Sequence, residues 1–220
     1  MWLPSTDTHM AEWLKASERV DGRGVYQYPK LEAACSRVRR FGMAVDVGAH
    51  VGTWSRILAA RFARVYAFEP VPLHGLCWTR NMAGVRNAVL VPVALGAKAG
   101  TVAMVQTPEN TGESWVCAGP GTVPLVRLDD IIHRREIVDL IKLDCEGYEA
   151  LVVQGAMSTL CRDLPVVIVE QVPQYAERHG IAEMRAVHLL EGVGYVVVQQ
   201  LTNDYILVHP ESVHGGNGHG

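Results

Sequence analysis

Apolar residues along this chain fall into runs of two different periods. Residues 8–19 and 31–40 have helical spacing, with Met10, Trp13 and Leu14 on one stripe, and the "DGRGVYQYP" between them is turn-rich and carries Tyr26 and Tyr28. From residue 43 the pattern alternates. "MAVDVGA" reads as a buried strand, 52–63 as a helix, "RVYAFEP" as a strand, 72–83 as a helix and "AVLVPVALG" as a strand. This βαβαβ succession implies a parallel sheet with right-handed crossovers. "TVAMVQ" predicts a short extra strand, whereas 107–124 is too broken by Gly, Pro, Asn and Thr to form an element and long enough to cover a site. The rhythm resumes with the core strand "DLIKLD", a helix over 148–160, the strand 165–171 and a helix over 181–191. Two closely spaced strands, "GYVVVQQL" and "DYILVHP", then turn at Thr202-Asn203-Asp204 and must run antiparallel. The fold class is α/β, a mostly parallel sheet with helices on both faces and an antiparallel C-terminal strand. Residues 1–42 form an N-terminal helical extension, 43–210 the main domain, and 211–220 a Gly-rich flexible tail.

Composition narrows the partners. With 220 residues, 49% hydrophobic and 20% charged, one domain can use the whole chain. A formal charge of −3 offers no basic face for a duplex, so long nucleic acid is disfavoured, while a nucleotide or sugar stays open. The five cysteines are widely spaced, without a Cys-x-x-Cys pair, which excludes a disulfide framework and a zinc knuckle and points to a reducing, cytoplasmic location. No signal-peptide core and no apolar run of about 18 residues occurs, so no membrane partner is expected.

Three patterns carry chemistry. "VDVGAHVG" puts Gly48 and Gly52 around the first strand-to-helix turn, with Asp46 just before. Small residues there let a ligand approach the backbone, and the spacing is Gly-x-x-x-Gly rather than the Gly-x-Gly-x-x-Gly of a pyrophosphate site. A ligand without pyrophosphate, such as S-adenosylmethionine (SAM), fits the looser turn. Glu69 ends the second strand 21 residues after Gly48, where an acid can accept both ribose hydroxyls. The bland alternative is a tight turn and a solvated strand end. Finally, "LIKLDCEGYE" places Asp144, Glu146 and Glu149 where a core strand runs out. Glu149 falls in the first turn of the next helix, where the dipole favours an acid. Asp144 and Glu146 are paired acids near a buried strand end, costly without a partner.

The stretches "AVDVGAHVGTWSRILA", "AFEPVP", "RLDDII" and "IKLDCEGYEALVVQGA" resemble the FkbM family of SAM-dependent methyltransferases over about residues 43–210, the last of them matching an I-K-x-D-x-E-G-x-E-x-x-x-x-x-G-A block. The resemblance implies a class I methyltransferase fold with a seven-stranded sheet and methyl transfer, usually to a hydroxyl of a sugar or natural-product scaffold. It puts Asp46, Gly48, His50 and Gly52 on the methionine part of SAM, Glu69 on the ribose, and Ala94, Leu95 and Gly96 near the adenine. Lys142, Asp144, Glu146 and Gly147 fall on the hallmark block; Cys145 departs from the apolar residue usual there.

For a hydroxyl acceptor the protein must position it and remove its proton. Asp144 is the candidate base, with Glu146 and Glu170 beside it; the same three carboxylates could instead hold a divalent cation. His50 reads as a hydrogen-bonding turn residue, and Asn110, Thr111, Ser114 and Trp115 of the 107–124 loop as substrate contacts. The expected function is O-methylation of a sugar, glycoside or other small polyhydroxylated acceptor. Methylation of a nucleoside or modified base, a nicotinamide-dependent oxidoreductase and a SAM-binding protein without catalysis are the alternatives, and a homodimer is an open option.

Overall fold

The computed structural model describes residues 1–17, 19–20, 23–24, 26–107, 109–117, 119 and 121–214. Seven strands build the main sheet: β1 (Met43–Val47), β2 (Arg64–Phe68), β3 (Ala88–Val91), β4 (Leu140–Leu143), β5 (Val166–Glu170), β6 (Val196–Leu201) and β7 (Asp204–Val208). Their order is β6-β7-β5-β4-β1-β2-β3. β7 runs antiparallel to its two neighbours and every other pairing is parallel. The chain moves outward from β1 to β3 and returns to β4 on the other side of β1. The crevice at the carboxyl ends of β1 and β4 is therefore the switch point where such sheets bind ligands.

Alternation along the strands sorts the core into two layers. One layer takes Val45, Val47, Ile141, Leu143, Val167, Val169 and Leu207 under the helices Glu149–Gly155 and Arg185–Glu191. The other takes Ala44, Leu140, Val166, Ile168 and Ile206 under the helices Tyr28–Cys35 and Thr53–Arg61. Leu31, Ala34 and Cys35 are buried in this second layer, so the 1–42 segment supplies core as well as preface. Continuing the second layer by steps of two residues reaches Asp46, Lys142, Asp144 and Glu170. One face of the sheet thus turns from apolar to ionic at the switch point.

Several elements differ from the sequence expectation. The 8–19 helix stops at Ala16, with Arg19–Val20 pairing antiparallel to Arg23–Gly24, and the 31–40 helix spans Tyr28–Cys35. The 88–96 run is two strands: Pro92, which has no N–H for a ladder, ends β3, and Ala94–Leu95 instead pairs with Val123–Val126 in a separate four-stranded sheet. That sheet also contains Gly100–Val105 and Trp115–Cys117, so the 107–124 loop includes a strand where none was expected. The 148–160 helix is broken into Glu149–Gly155 and Met157–Asp163; a Cβ on Gly155 would lie 2.0 Å from the Gly96 carbonyl oxygen, so the helix ends where two backbones meet. A helix over Pro173–Glu177, started by its proline, was not read from the sequence. At the C-terminus Pro210–His214 is helical, and residues 215–220 of the expected tail lie outside the described residues. Among the described residues no helix is long and apolar enough to cross a membrane.

Candidate active site

A cavity of about 250 Å³ opens at the carboxyl ends of β1, β2 and β4. Gly48, which leaves β1 with φ +71°, forms part of its wall. A Cβ there would sit 1.8 Å from the Asp144 carbonyl oxygen, so only glycine lets the first turn lie against the end of β4.

Lys142 joins the two strands. Its buried ammonium donates to the carbonyls of Gly48 (2.8 Å) and Val47 (3.3 Å) and lies 3.5 Å from Asp46 and 3.4 Å from Asp144. Burial works against the ammonium, but Asp144 and Asp46 outweigh it and its pKa is raised. Asp46 is fully buried, its Oδ2 accepting from Ser55 (2.6 Å), which in turn accepts from the Trp78 indole (2.9 Å). Burial pushes the Asp46 carboxyl up, with Lys142 opposing.

At the end of β2, Glu69 is buried and its oxygens are committed to the protein. Oε2 accepts from the His50 N–H (2.8 Å), and Oε1 from the Val71 N–H (2.8 Å) and His74 Nδ1 (3.2 Å). Burial would raise its pKa, but the His74 contact prevails and the carboxyl is lowered. His50, at φ +49°, places its Nε2 2.8 Å from the Thr111 hydroxyl, which donates to Asp7. Because the hydroxyl proton goes to Asp7, Nε2 must carry the imidazole proton, leaving Nδ1 as an acceptor. Burial, with His74 edge-on at 4.3 Å, pushes the His50 pKa down to about 3, so the ring is neutral. Asp7 also caps the helix Thr8–Ala16 through the Met10 N–H (2.8 Å), and residues 109–117 are thereby held over the cleft.

Asp144, Glu146 and Glu170 converge at the mouth of β4, with ligand oxygens within 4.8 Å of one another. Glu146 sits at φ +58° ahead of Gly147 at φ +101°, a turn that swings its side chain back beside Asp144. Burial, then Asp144 and Glu149, pushes Glu146 up to about 9, and burial, then Asp144 and Glu146, pushes Glu170 up to about 10. Glu149 lies behind, its Oε1 accepting the N–H groups of Cys145 (2.8 Å) and Gly147 (3.1 Å). It shapes the turn, in keeping with the helix-start reading.

Gly48, His50, Glu69, Ala94, Leu95, Asn110, Ser114, Asp144, Glu146 and Glu170 all line the cavity. Four expected residues do not. Asp46 stands behind Lys142, Gly52 lies so near Trp78 that an added Cβ would sit 2.8 Å from Cδ1, Gly96 lies against Leu125 and Tyr148, and the Trp115 ring packs under Arg178 at 4.5 Å. Sequence reading gave no role to Lys142, Tyr26 or His74. Lys142 could have been found as the one cation inside an apolar strand, two residues before Asp144. Tyr26, between the two N-terminal helices, carries no such signal; burial and then Asp144 and Glu170 raise its pKa.

Residues 46–197 match the Methyltransferase FkbM domain. Among solved structures, N-methyltransferase NodS from Bradyrhizobium japonicum WM9 is similar at 11% identity and TM-score 0.52, over 82% of this chain and 90% of NodS. The same protein in complex with S-adenosylhomocysteine aligns at 12% identity and TM-score 0.51, over 82% of each chain. Methyltransferase FkbM from Methylobacillus flagellatus KT is similar at 17% identity and TM-score 0.49, over 79% of this chain; the chain spans only 45% of that protein. No curated protein sequence matches significantly. At these identities the structural likeness concerns the fold, a Rossmann-like class I methyltransferase sheet. The family match covers more than half of the chain and, with the Gly-x-x-x-Gly spacing, displaces the nicotinamide alternative. This chain belongs to the FkbM methyltransferase family.

Proposed function

We propose that the protein transfers a methyl group from SAM to a hydroxyl of a sugar, glycoside or other small polyhydroxylated acceptor. The observation that carries this is the carboxylate cluster facing the cleft, of which Asp144 alone has an ammonium within 4 Å. The cleft fits the cofactor. A carboxylate offers about four acceptor positions, and Glu69 uses three within the protein, leaving one for a ribose hydroxyl. His50 Nδ1 and His74 Nε2 are buried cavity-lining atoms without partners, both free to meet polar ligand groups. The backbone at Gly48 would hold the methionine part, and Ala94 and Leu95 an apolar ring. The cofactor, when bound, supplies an electrophilic methyl on a sulfonium.

Of the three carboxylates, one is suited to take the acceptor's proton. At neutral pH Glu146 and Glu170 hold protons, so each can donate a hydrogen bond to an acceptor oxygen and neither can take its proton. Asp144, held by Lys142, receives it. Asn110 and Ser114 border the cavity from the loop side and would orient the acceptor. A second reading rests on the same cluster: Asp144, Glu146 and Glu170 hold a divalent cation that acidifies the hydroxyl directly, with the buried, unpartnered Glu146 Oε2 as one ligand.

Calorimetric titration of the purified chain with SAM, followed by turnover of hydroxyl acceptors by wild type and Asp144→Asn, tests both. SAM binding and a loss of turnover of about 10²–10⁴-fold in the variant are expected. Full turnover by the variant sinks the base, and abolition by EDTA with recovery on Mg²⁺ replaces it with the metal reading.

A further inference from the structure

A second and larger groove, of about 1420 Å³, runs between the N-terminal segment and the helices Thr53–Arg61 and Pro72–Asn81. Among the described residues every charged side chain that lines it is a cation: Lys15, Arg56, Arg61, Arg80 and Arg86. That leaves fifteen Lys and Arg against 23 Asp and Glu over the rest of the chain, so the groove's excess of cations runs against the balance of the chain as a whole. Internal partners account for part of it: Arg61 pairs with Glu32, and Arg56 donates to the Asn81 carbonyl (2.6 Å). Lys15, Arg61 and Arg80 occupy the last turns of their helices, where a cation suits the dipole. Neither reason covers Arg86, and neither explains why no carboxylate lines the groove among the described residues.

An aromatic ring is held at the same place. Asn81 clamps the backbone of Trp2, accepting its N–H (2.6 Å) and donating to its carbonyl (2.8 Å), and the 57% exposed indole lies under the Arg80 guanidinium at 4.5 Å. Arg80 covers one face of the ring and leaves the other for a flat partner. Apolar wall is supplied by Leu3, Leu14, Ile57 and Val85. Guanidinium groups suit phosphate, and a fixed indole suits a base.

We propose that this groove binds a small phosphate-bearing ligand with a flat ring, of the nucleoside diphosphate class. A polynucleotide would leave the groove onto an acid-rich surface, which favours the small ligand. The site adjoins the cleft, since Tyr26 and Thr53 line both, but the inference stands whether or not the cleft transfers methyl groups.

The test is calorimetry of the full chain at low salt with three probes, inorganic pyrophosphate, uridine diphosphate and a ten-nucleotide oligothymidylate, each repeated on Arg80→Glu/Arg86→Glu, on Arg86→Glu alone and on the remote surface control Lys98→Glu. Uridine diphosphate should bind more tightly than pyrophosphate. Both should weaken at least about tenfold in the double variant, less in Arg86→Glu, and not at all in the control. Arg86 is exposed and makes no hydrogen bond or ion pair among the described residues, so the single variant still reads the site if the double one folds poorly. SAM affinity should be unchanged throughout; loss of SAM binding with the anion retained would count against the methyl-transfer reading only. Silence toward both phosphate probes, equal affinity in the double variant, or displacement of SAM by pyrophosphate would overturn the groove, and tighter binding of the oligonucleotide would replace the small ligand with nucleic acid.

Discussion

Replacing Lys142 by Met tests how the switch point is held together. The ammonium is the nearest cation to two acids and ties two carbonyls of the first turn to β4. Removing it leaves Asp46 fully buried with only Ser55 on one oxygen and no partner on the other. Breaking a buried pair by deleting one member costs about 3–5 kcal/mol, which for a chain of this length is a fall in Tm of about 6–20 °C at roughly 2–4 °C per kcal/mol. The pH dependence has a definite sign. The Asp46 carboxyl is already raised in the folded state, and loss of the ammonium raises it further. The folded variant then takes up a proton more readily than the unfolded chain, so its deficit is largest at high pH and shrinks on acidification. Urea and thermal unfolding of K142M, D46N and K142M/D46N near pH 8 and pH 5 give the result. The double variant should cost less than the sum of the singles, because each single change strands the other charge. A cost below about 1 kcal/mol for K142M, or strict additivity, would refute the account.

Three further outcomes follow from the same geometry. Gly48→Ala forces a methyl to within 1.8 Å of the Asp144 carbonyl at φ +71°, and should cost at least about 3 kcal/mol in urea unfolding and abolish SAM heat. Glu69→Ala should weaken SAM at least about tenfold in calorimetry, and unchanged affinity would remove it from the ribose. Glu149 is pushed up to about 7 by burial, above its unfolded value, so it costs stability as pH rises from about 4.5 to 7; Glu149→Gln should flatten that decline, by about 3 kcal/mol over the interval.

The strands were legible because burial on both faces writes itself as apolar runs, and the acids at their ends because charge interrupts those runs at the positions the topology brings together. What escaped was set by contacts distant in sequence. Pro92 looked like a tolerable interruption of one strand, since nothing local says that Ala94–Leu95 would pair with Leu125–Val126. The helix break at Gly155 depends on Gly96, and the hold on the covering loop depends on Asp7 meeting Thr111, 104 residues away. Asp46, Gly52 and Trp115, expected in the cleft, do not line it and pack behind or beside the residues that do, a distinction that spacing alone does not carry.

The ionic row on the sheet's second face has a consequence for how this family's block tolerates change. Lys142, Asp144 and Glu170 share that face only because each lies an even number of residues from Leu140 or Ile168. In this stretch the count matters as much as the side chains: deleting Ile141 would carry the lysine and the aspartate to the opposite layer, among Val47, Leu143 and Val169, while Cys for an apolar residue at 145 leaves the parity intact. The block is therefore a parity code as much as a set of side chains, and homologues should vary in what fills the positions of Leu143 and Cys145 before they vary in its length.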